Sequence, residues 1–248
     1  MTIKKISLLK LAGIAALASA PIAQAHAADW DWSATPYIWA PSISTNLLSN
    51  APPVEGESAS DFGDIVDKID MGFLGHLEGQ GDDFGAFADI IYLSLGDQKD
   101  FERFSTESSL DTTVFELAAV WSPGEQRNHG FELIGGLRHI ILDFSVDFDP
   151  INPELSPAKV HLDQSYSDLM VGGRYIGDFS EKWGYALRAD GSWGDTDGTM
   201  NLSALIDYKT KSGAWLFGYR YMTVELGDDN ADLELTLSGP LVGYAFKF

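Results

Sequence analysis

The C-terminal stretch LVGYAFKF, residues 241–248, alternates large and small side chains and ends on an aromatic residue. In an extended strand, successive side chains point to opposite faces. One face then carries the larger members, Val242, Tyr244, Phe246 and Phe248. The opposite face is small, with Lys247 at its end. Because a chain terminus in water is usually frayed and polar, this stretch predicts a terminal strand whose aromatic face meets an apolar surrounding.

The same alternation recurs in segments that are rich in aromatic and β-branched residues and end at turn signals. We predict ten strands, at 29–41, 68–80, 83–96, 110–122, 130–144, 163–178, 182–194, 199–210, 213–227 and 232–248. Most of the tight turns alternate along the chain with long acidic connections at 42–67, 97–109 and 145–162. The sequence therefore predicts an all-β fold, a single closed antiparallel transmembrane β-barrel with short periplasmic turns and longer acidic extracellular loops. About ten strands are expected, and eight or twelve remain open.

A soluble periplasmic barrel of the lipocalin-like kind is the alternative fold, with the large apolar face turned inward. The charged face, however, holds many glycines and few lysines, as in the segment 183–193. A solvated surface is usually richer in lysine. We therefore expect the large face to meet lipid.

The N-terminus has the layout of a secretory signal: lysines in MTIKKISLLK, the apolar run LAGIAALASA, then small residues up to Ala27. We predict a cleaved signal peptide at 1–27 and an outer-membrane barrel at 28–248. The formal net charge of −21 argues against nucleic acid as a partner, because a polyanion needs lysine and arginine. The chain has no cysteine, which excludes disulfides and thiolate metal sites.

The smaller face of the predicted strands carries charges of both signs. Its members are Glu78, Asp89, Glu116, Arg138, Asp168, Arg174, Arg188, Asp190 and Arg220. The acids lie mainly on early strands and the arginines on later ones, so that a closed cylinder brings them across the lumen. This set predicts either a plug of salt bridges or a narrow charge-lined lumen.

The terminal set Val242, Tyr244, Phe246 and Phe248 resembles the signature by which the outer-membrane assembly machinery recognises its clients. A second resemblance lies in WSATPYIWAPSIS at 32–44, the stretch 62–97, the piece IGGLRH and VGGRY at 171–175. These pieces look like a family of proteobacterial outer-membrane β-barrel proteins for which we know no established activity. The resemblance implies a Gram-negative outer membrane, reached by Sec-type export. The partners implied are outer-membrane lipid, lipopolysaccharide and the barrel assembly machinery, with the oligomeric state open.

Two groups of residues are candidates for chemistry. His76 shares the inward face with Glu78, and with Asp89 they form the best acid–base set, although a structural lumen pair explains them as well. Asp195 and Asp197 in GDTDG resemble half of a calcium loop, but the rest of the ligand frame is missing and a tight turn explains them equally. We therefore expect no metal, no cofactor and no catalytic residue.

The predicted function is that of an integral outer-membrane protein without enzymatic activity. It is either a narrow, porin-like channel for small solutes or a structural barrel. Two alternatives stay open: an outer-membrane hydrolase with a His–carboxylate site, and a surface binding protein that acts through its acidic loops. The stretch 60–70 is expected to be a loop over the barrel mouth, with one helical turn as the alternative.

Overall fold

The computed structural model describes residues 30–50, 53–60, 62–66, 68–100, 104–124, 129–150, 158–227 and 231–248. The predicted signal peptide at 1–27 lies outside them. Within them the strands and the helix are β1 (Asp31–Trp39), β2 (Ser42–Asn50), β3 (Pro53–Ser60), α1 (Phe62–Val66), β4 (Ile69–Gln80), β5 (Phe84–Asp100), β6 (Phe104–Trp121), β7 (Gly130–Pro150), β8 (Ala158–Asp178), β9 (Trp183–Gly194), β10 (Gly198–Lys209), β11 (Gly213–Gly227) and β12 (Ala231–Lys247). None of the described helical residues form a segment long and apolar enough to cross a membrane.

Ten strands close into an antiparallel barrel. Strands β4 to β12 pair in chain order, β1 pairs with β4, and β12 returns to pair with β1. Phe248 completes this closure, because its backbone exchanges hydrogen bonds with Trp32 at 3.0 and 3.2 Å. The predicted ten-stranded antiparallel barrel is therefore confirmed.

On one of its edges, β12 pairs with two different strands in turn. β1 pairs with one part of β12 and β2 pairs with the next part, with Ala40 and Pro41 between them. β3 forms a hairpin with β2, and α1 separates β3 from β4. The helical alternative for the stretch 60–70 was therefore right for residues 62–66, and Ile65 of this helix is buried. The strands β2 and β3 lie outside the ring of ten.

The two ends of the barrel differ. The start of β1, the chain end at Phe248 and the short connections, such as 81–83, 179–182 and 210–212, lie at one end, which we call the terminal end. The opposite end, the hairpin end, carries the long connections predicted as loops at 42–67, 97–109 and 145–162. This loop prediction is wrong, because most of the described residues in these ranges belong to strands. Some of these segments lack the alternation of large and small side chains that marks a strand in the sequence, as in the run STESS at 105–109.

The outer face of the barrel is apolar. Large apolar side chains lie exposed around its middle, among them Phe73, Phe115, Leu169, Leu187 and Phe217. Leu187 is 51% exposed, whereas its neighbours in the chain point to the interior. A soluble barrel would bury this face, since contiguous apolar surface is rarely left in water. The lipocalin-like alternative is therefore wrong.

Candidate functional site

The barrel interior has three zones that follow one another along its axis. A polar cavity lies toward the terminal end, a layer of ion pairs crosses the middle, and an apolar chamber lies toward the hairpin end. We call the middle layer the plug; its charged members are Glu78, Asp89, Glu116, Glu132, Arg138, Arg174, Arg188, Asp190 and Arg220. All of them project from the inward face of barrel strands.

Glu116 is the centre of the plug. Its side chain is 0% exposed, and its carboxylate accepts hydrogen bonds from three arginines on three other strands. The distances are 2.7 Å from Arg138 Nη2, 2.8 Å from Arg188 Nη2 and 3.3 Å from Arg220 Nη2. The lumen is therefore crossed by one carboxylate that the arginines share, and this is how its burial is offset.

A second carboxylate extends the plug toward β10. Asp190 Oδ1 pairs with Arg138 at 2.5 Å, and Asp190 Oδ2 accepts from Asn201 Nδ2 at 2.7 Å. Asn201 in turn accepts from Arg220 Nε at 2.7 Å. Arg220 thus has a buried neutral partner as well as a charged one, which keeps its guanidinium in position.

Arg174 forms a separate arm of the plug. Its guanidinium donates to Glu78 Oε2 at 2.9 Å and to Glu132 Oε2 at 2.7 Å. Glu132 is completely buried and also accepts from Ser122 Oγ at 3.0 Å. Glu132 is absent from the predicted lumen set, although it lies six residues before Arg138 and so on the same face of β7. Counting parity from Arg138 would have found it.

His76 lies between two carboxylates. Its Nδ1 is 3.1 Å from Asp89 Oδ2, and its Nε2 is 3.2 Å from Glu78 Oε2. Asp89 also accepts a hydrogen bond from the hydroxyl of Tyr37 at 2.9 Å. The structure thus brings the three predicted acid–base candidates together, but in this arrangement both ring nitrogens of His76 are engaged by carboxylates.

Asp168, also in the predicted lumen set, organises a turn. Its carboxylate accepts from the backbone amides of Asp195 and Thr196, both at 3.1 Å, and from the hydroxyls of Thr196 and Ser192. The side chain of Asp195 is used locally as well, since it accepts from the backbone amide of Ser167 at 3.0 Å. The amide of Asp197 donates to the carbonyl of Glu225. Within the described residues, no group of three His, Asp or Glu side chains has a metal-binding arrangement.

The polar cavity beside the plug has a volume of about 230 Å³. Ser33, Thr35 and Ser203 line it from the terminal end, and Arg174 and Arg220 face it from the plug. This mixture of hydroxyls and guanidinium groups suits water or a small polar solute.

The apolar chamber on the other side of the plug has a volume of about 90 Å³. Every lining residue except Thr112 is apolar; the lining is Trp39, Pro41, Ile43, Leu74, Ile91, Leu93, Leu110, Thr112, Val114, Ile140, Leu142, Met222, Val224, Leu226, Leu235 and Leu237. The sequence predicts a smaller inner face that carries charges of both signs, and in this half of the barrel that prediction is wrong, because the inner side chains are apolar and mostly large. The signal for the chamber is the continuous apolar run, such as Ile140 to Leu142, which indicates a strand with apolar surroundings on both faces.

The predicted assembly residues lie on β12 and at the chain end. Phe246 and Phe248 are exposed on the outer face, Phe248 to 74%. Tyr244 contacts the ring of Phe246 and that of Trp215, and its hydroxyl is 2.9 Å from those of Thr210 and Ser212. These aromatic side chains form part of a band at the terminal end, as in the girdles of membrane barrels.

Similarity to known proteins is found in the structure and not in the sequence. No protein-family model matches the sequence, and no curated protein matches it. Among solved structures, the outer membrane protease OmpT from Escherichia coli is similar with a TM-score of 0.54 at 10% identity, over 89% of this chain and 97% of that one. The attachment invasion locus protein Ail of Yersinia pestis matches with a TM-score of 0.35 at 10% identity, over 88% of this chain and 99% of that one. At such low identity the likeness to OmpT shows the fold alone: this chain has the fold of an outer-membrane β-barrel.

Proposed function

We propose that this protein is a non-enzymatic barrel of the Gram-negative outer membrane, closed to free diffusion in its resting state. The observation that carries the proposal is Glu116, which is shared by three arginines across the lumen and has no exposed surface. An open porin keeps a water-filled passage, with its charges at the wall and wet. Here the charged groups meet in the middle and satisfy one another.

The experiment is conductance of the refolded mature chain in a planar bilayer. We expect no discrete current steps from wild-type protein whose folding is verified by heat-modifiable electrophoretic mobility. An Arg188→Ala variant removes the ion pairs of Arg188 with Glu116 and Asp190 and is compared under the same conditions. Regular steps from the folded wild type would contradict the proposal and make it an open channel.

A gated channel for small polar solutes is the second candidate function. The cavity of about 230 Å³ next to the plug favours it, because Arg174, Arg188 and Arg220 line that cavity and the loss or movement of one of them would enlarge it. In this case the wild type is silent and Arg188→Ala produces steps. Silence of both proteins supports a structural or binding barrel.

Location and assembly belong to the same proposal. The basic and apolar N-terminus supports Sec-type export with cleavage after Ala27. The exposed aromatic face that ends in Phe248 supports recognition by the barrel assembly machinery, and the apolar outer face supports contact with outer-membrane lipid and lipopolysaccharide. His76, held between Glu78 and Asp89, has no nitrogen left for a substrate, which supports a structural role over a hydrolytic one.

A further inference from the structure

The apolar chamber is unusual for the interior of a membrane barrel. Barrel interiors are generally polar because lipid-facing and lumen-facing residues alternate. Here six buried apolar side chains form the wall of the chamber: Trp39, Ile91, Val114, Ile140, Met222 and Val224. No charged side chain lines it. Apolar cavities of this kind exclude water and accept apolar guests.

The floor of the chamber separates it from the plug. The Arg220 guanidinium lies over the Trp39 ring, 5.4 Å from its centroid, and Trp39 Nε1 donates to the Gly239 carbonyl at 3.2 Å. The indole therefore turns its polar atom to the wall and one face to the ion pairs, and its remaining apolar surface lines the chamber. A guest in the chamber meets hydrocarbon on all sides and stops above Arg220.

The barrel wall is interrupted beside this chamber. The β1–β4 ladder ends at the pair Pro36 and Gly75, and beyond it Tyr37–Trp39 pair with β12 while Gly72–Leu74 pair with β5. The next pair on this side, Ile43 with Ser60, belongs to β2 and β3. We call the unpaired stretch between Tyr37–Trp39 of β1 and Gly72–Leu74 of β4 the seam. Pro36 at its lower end has no backbone N–H to extend the ladder.

Both edges of the seam contribute to the chamber. Trp39 on one edge and Leu74 on the other are lining residues. On the outer face, a groove of about 310 Å³ lies at the lower end of the seam, with Pro36, Phe73 and Ile90 among its apolar walls. Apolar surface therefore continues from the outer groove, through the seam, to the chamber inside the barrel.

We propose that the chamber binds a linear alkyl chain, such as the acyl chain of an outer-membrane lipid, which reaches it from the membrane through the seam. The small volume and the apolar lining of the chamber favour this ligand. A cavity of about 150 Å³ accepts benzene, and the chamber at about 90 Å³ is smaller, which favours the end of a single methylene chain over a ring. The inference goes beyond the closed barrel proposed above and does not depend on the plug, since a conducting barrel would leave the chamber in place.

The test uses photo-crosslinking of the full mature chain in phosphatidylcholine vesicles. In one arm the phospholipid carries a diazirine at the end of an acyl chain. In the other arm a fatty acid with the same diazirine is added from the water. Labelled residues are mapped by peptide mass spectrometry. We expect label in the lipid arm on inward residues such as Ile140 and Met222, in addition to lipid-facing ones such as Ile141 and Leu187.

Two variants with adjacent positions control for the barrel itself. Ile140→Trp fills the chamber and is expected to reduce inward label by about tenfold or more. Ile141→Trp places the same ring on the outer face and is expected to leave inward label unchanged. Heat-modifiable mobility shows that both fold. Label confined to outward residues in folded wild-type protein would overturn the proposal.

A third variant tests the route. A β-carbon added at Gly75 would meet the Phe73 ring at 3.4 Å, an ordinary contact, so Gly75→Leu fills the outer groove without displacing backbone. We expect it to slow inward labelling in the lipid arm and not in the fatty-acid arm. Equal labelling in the lipid arm, or inward label from the fatty acid alone, would overturn access through the seam.

Discussion

Arg138 lies directly opposite Glu116 in the β6–β7 ladder, and its Nη2 is 2.7 Å from Glu116 Oε1, with neither side chain exposed. Each forms further ion pairs with residues on other strands. Arg138 pairs with Asp190, and Glu116 pairs with Arg188 and Arg220. A cross-strand pair has thus become the node of a network that spans the lumen. Removing one member leaves its buried partners with fewer counter-charges in the lumen, which costs more than the pair itself contributes.

Glu116→Ala is expected to destabilise the barrel strongly, by about 3–5 kcal/mol, because three buried arginines lose their shared carboxylate. The free energy of unfolding is measured by urea titration in lipid vesicles, followed by tryptophan fluorescence. Glu107→Ala, an exposed glutamate on the same strand, should change it little. Equal effects of the two substitutions would mean that the plug does not contribute to stability.

Asp168→Ala is expected to loosen the turn at 195–197. The amides of Asp195 and Thr196 lose their common acceptor, and leaving them without a partner costs about 1–3 kcal/mol. Hydrogen exchange at these two amides should therefore speed up while exchange in β11 stays slow. Asp163→Ala, an exposed position on the same strand, serves as the control, and unchanged exchange in Asp168→Ala would show that the carboxylate does not hold the turn.

Leu187→Arg is expected to destabilise by about 2–4 kcal/mol, because it places a charge on the lipid face near mid-strand. The same vesicle titration measures the effect. Glu181→Arg puts the same side chain in the exposed connection between β8 and β9, where the cost should be close to zero. A negligible cost at Leu187 would argue that this face does not contact lipid.

Phe248 contributes a side chain and a backbone pair, and two variants separate them. Deleting Phe248 removes the exposed ring together with the hydrogen bonds to Trp32 that close β12 on β1. Phe248→Ala removes the ring alone. We expect outer-membrane levels, measured by immunoblot of membrane fractions, to fall in both, and further in the deletion. Normal levels of Phe248→Ala would show that the ring is not an assembly signal.

Much of the barrel could be predicted because one physical rule governs each strand. Alternation assigned Leu187 outward and Arg188 inward, and glycines such as Gly172 left room for the charged side chains opposite them. The same rule failed where a strand has one environment on both faces. Residues 97–100 and 105–109 are all polar, and Ile140 to Leu142 are all apolar, so neither kind of stretch alternates.

The pairing of the charged side chains within the plug was harder to predict than the identity of the residues that form it. Alternation identifies which side chains enter the lumen, but the closing geometry decides which of them meet. Arg188 reaches Glu116 over a separation of 72 residues, and Arg220 reaches it over 104. Asp168 was placed in the lumen by parity, and the neighbouring turn, with its donor amides, determines its partners instead.

Unequal strand lengths make the rim of this barrel uneven. β7 and β8 have 21 residues each, which is about 70 Å of strand and about 50 Å of height at a tilt of about 40°. β9 and β10 have 12 residues each, enough to rise about 30 Å, which is the thickness of the hydrocarbon core. One side of the wall therefore stands about 20 Å beyond the hydrocarbon core at the hairpin end, while the other ends at the edge of that core. A large molecule that approaches the hairpin end would touch the β7–β8 ribbon first and would be held away from the low side.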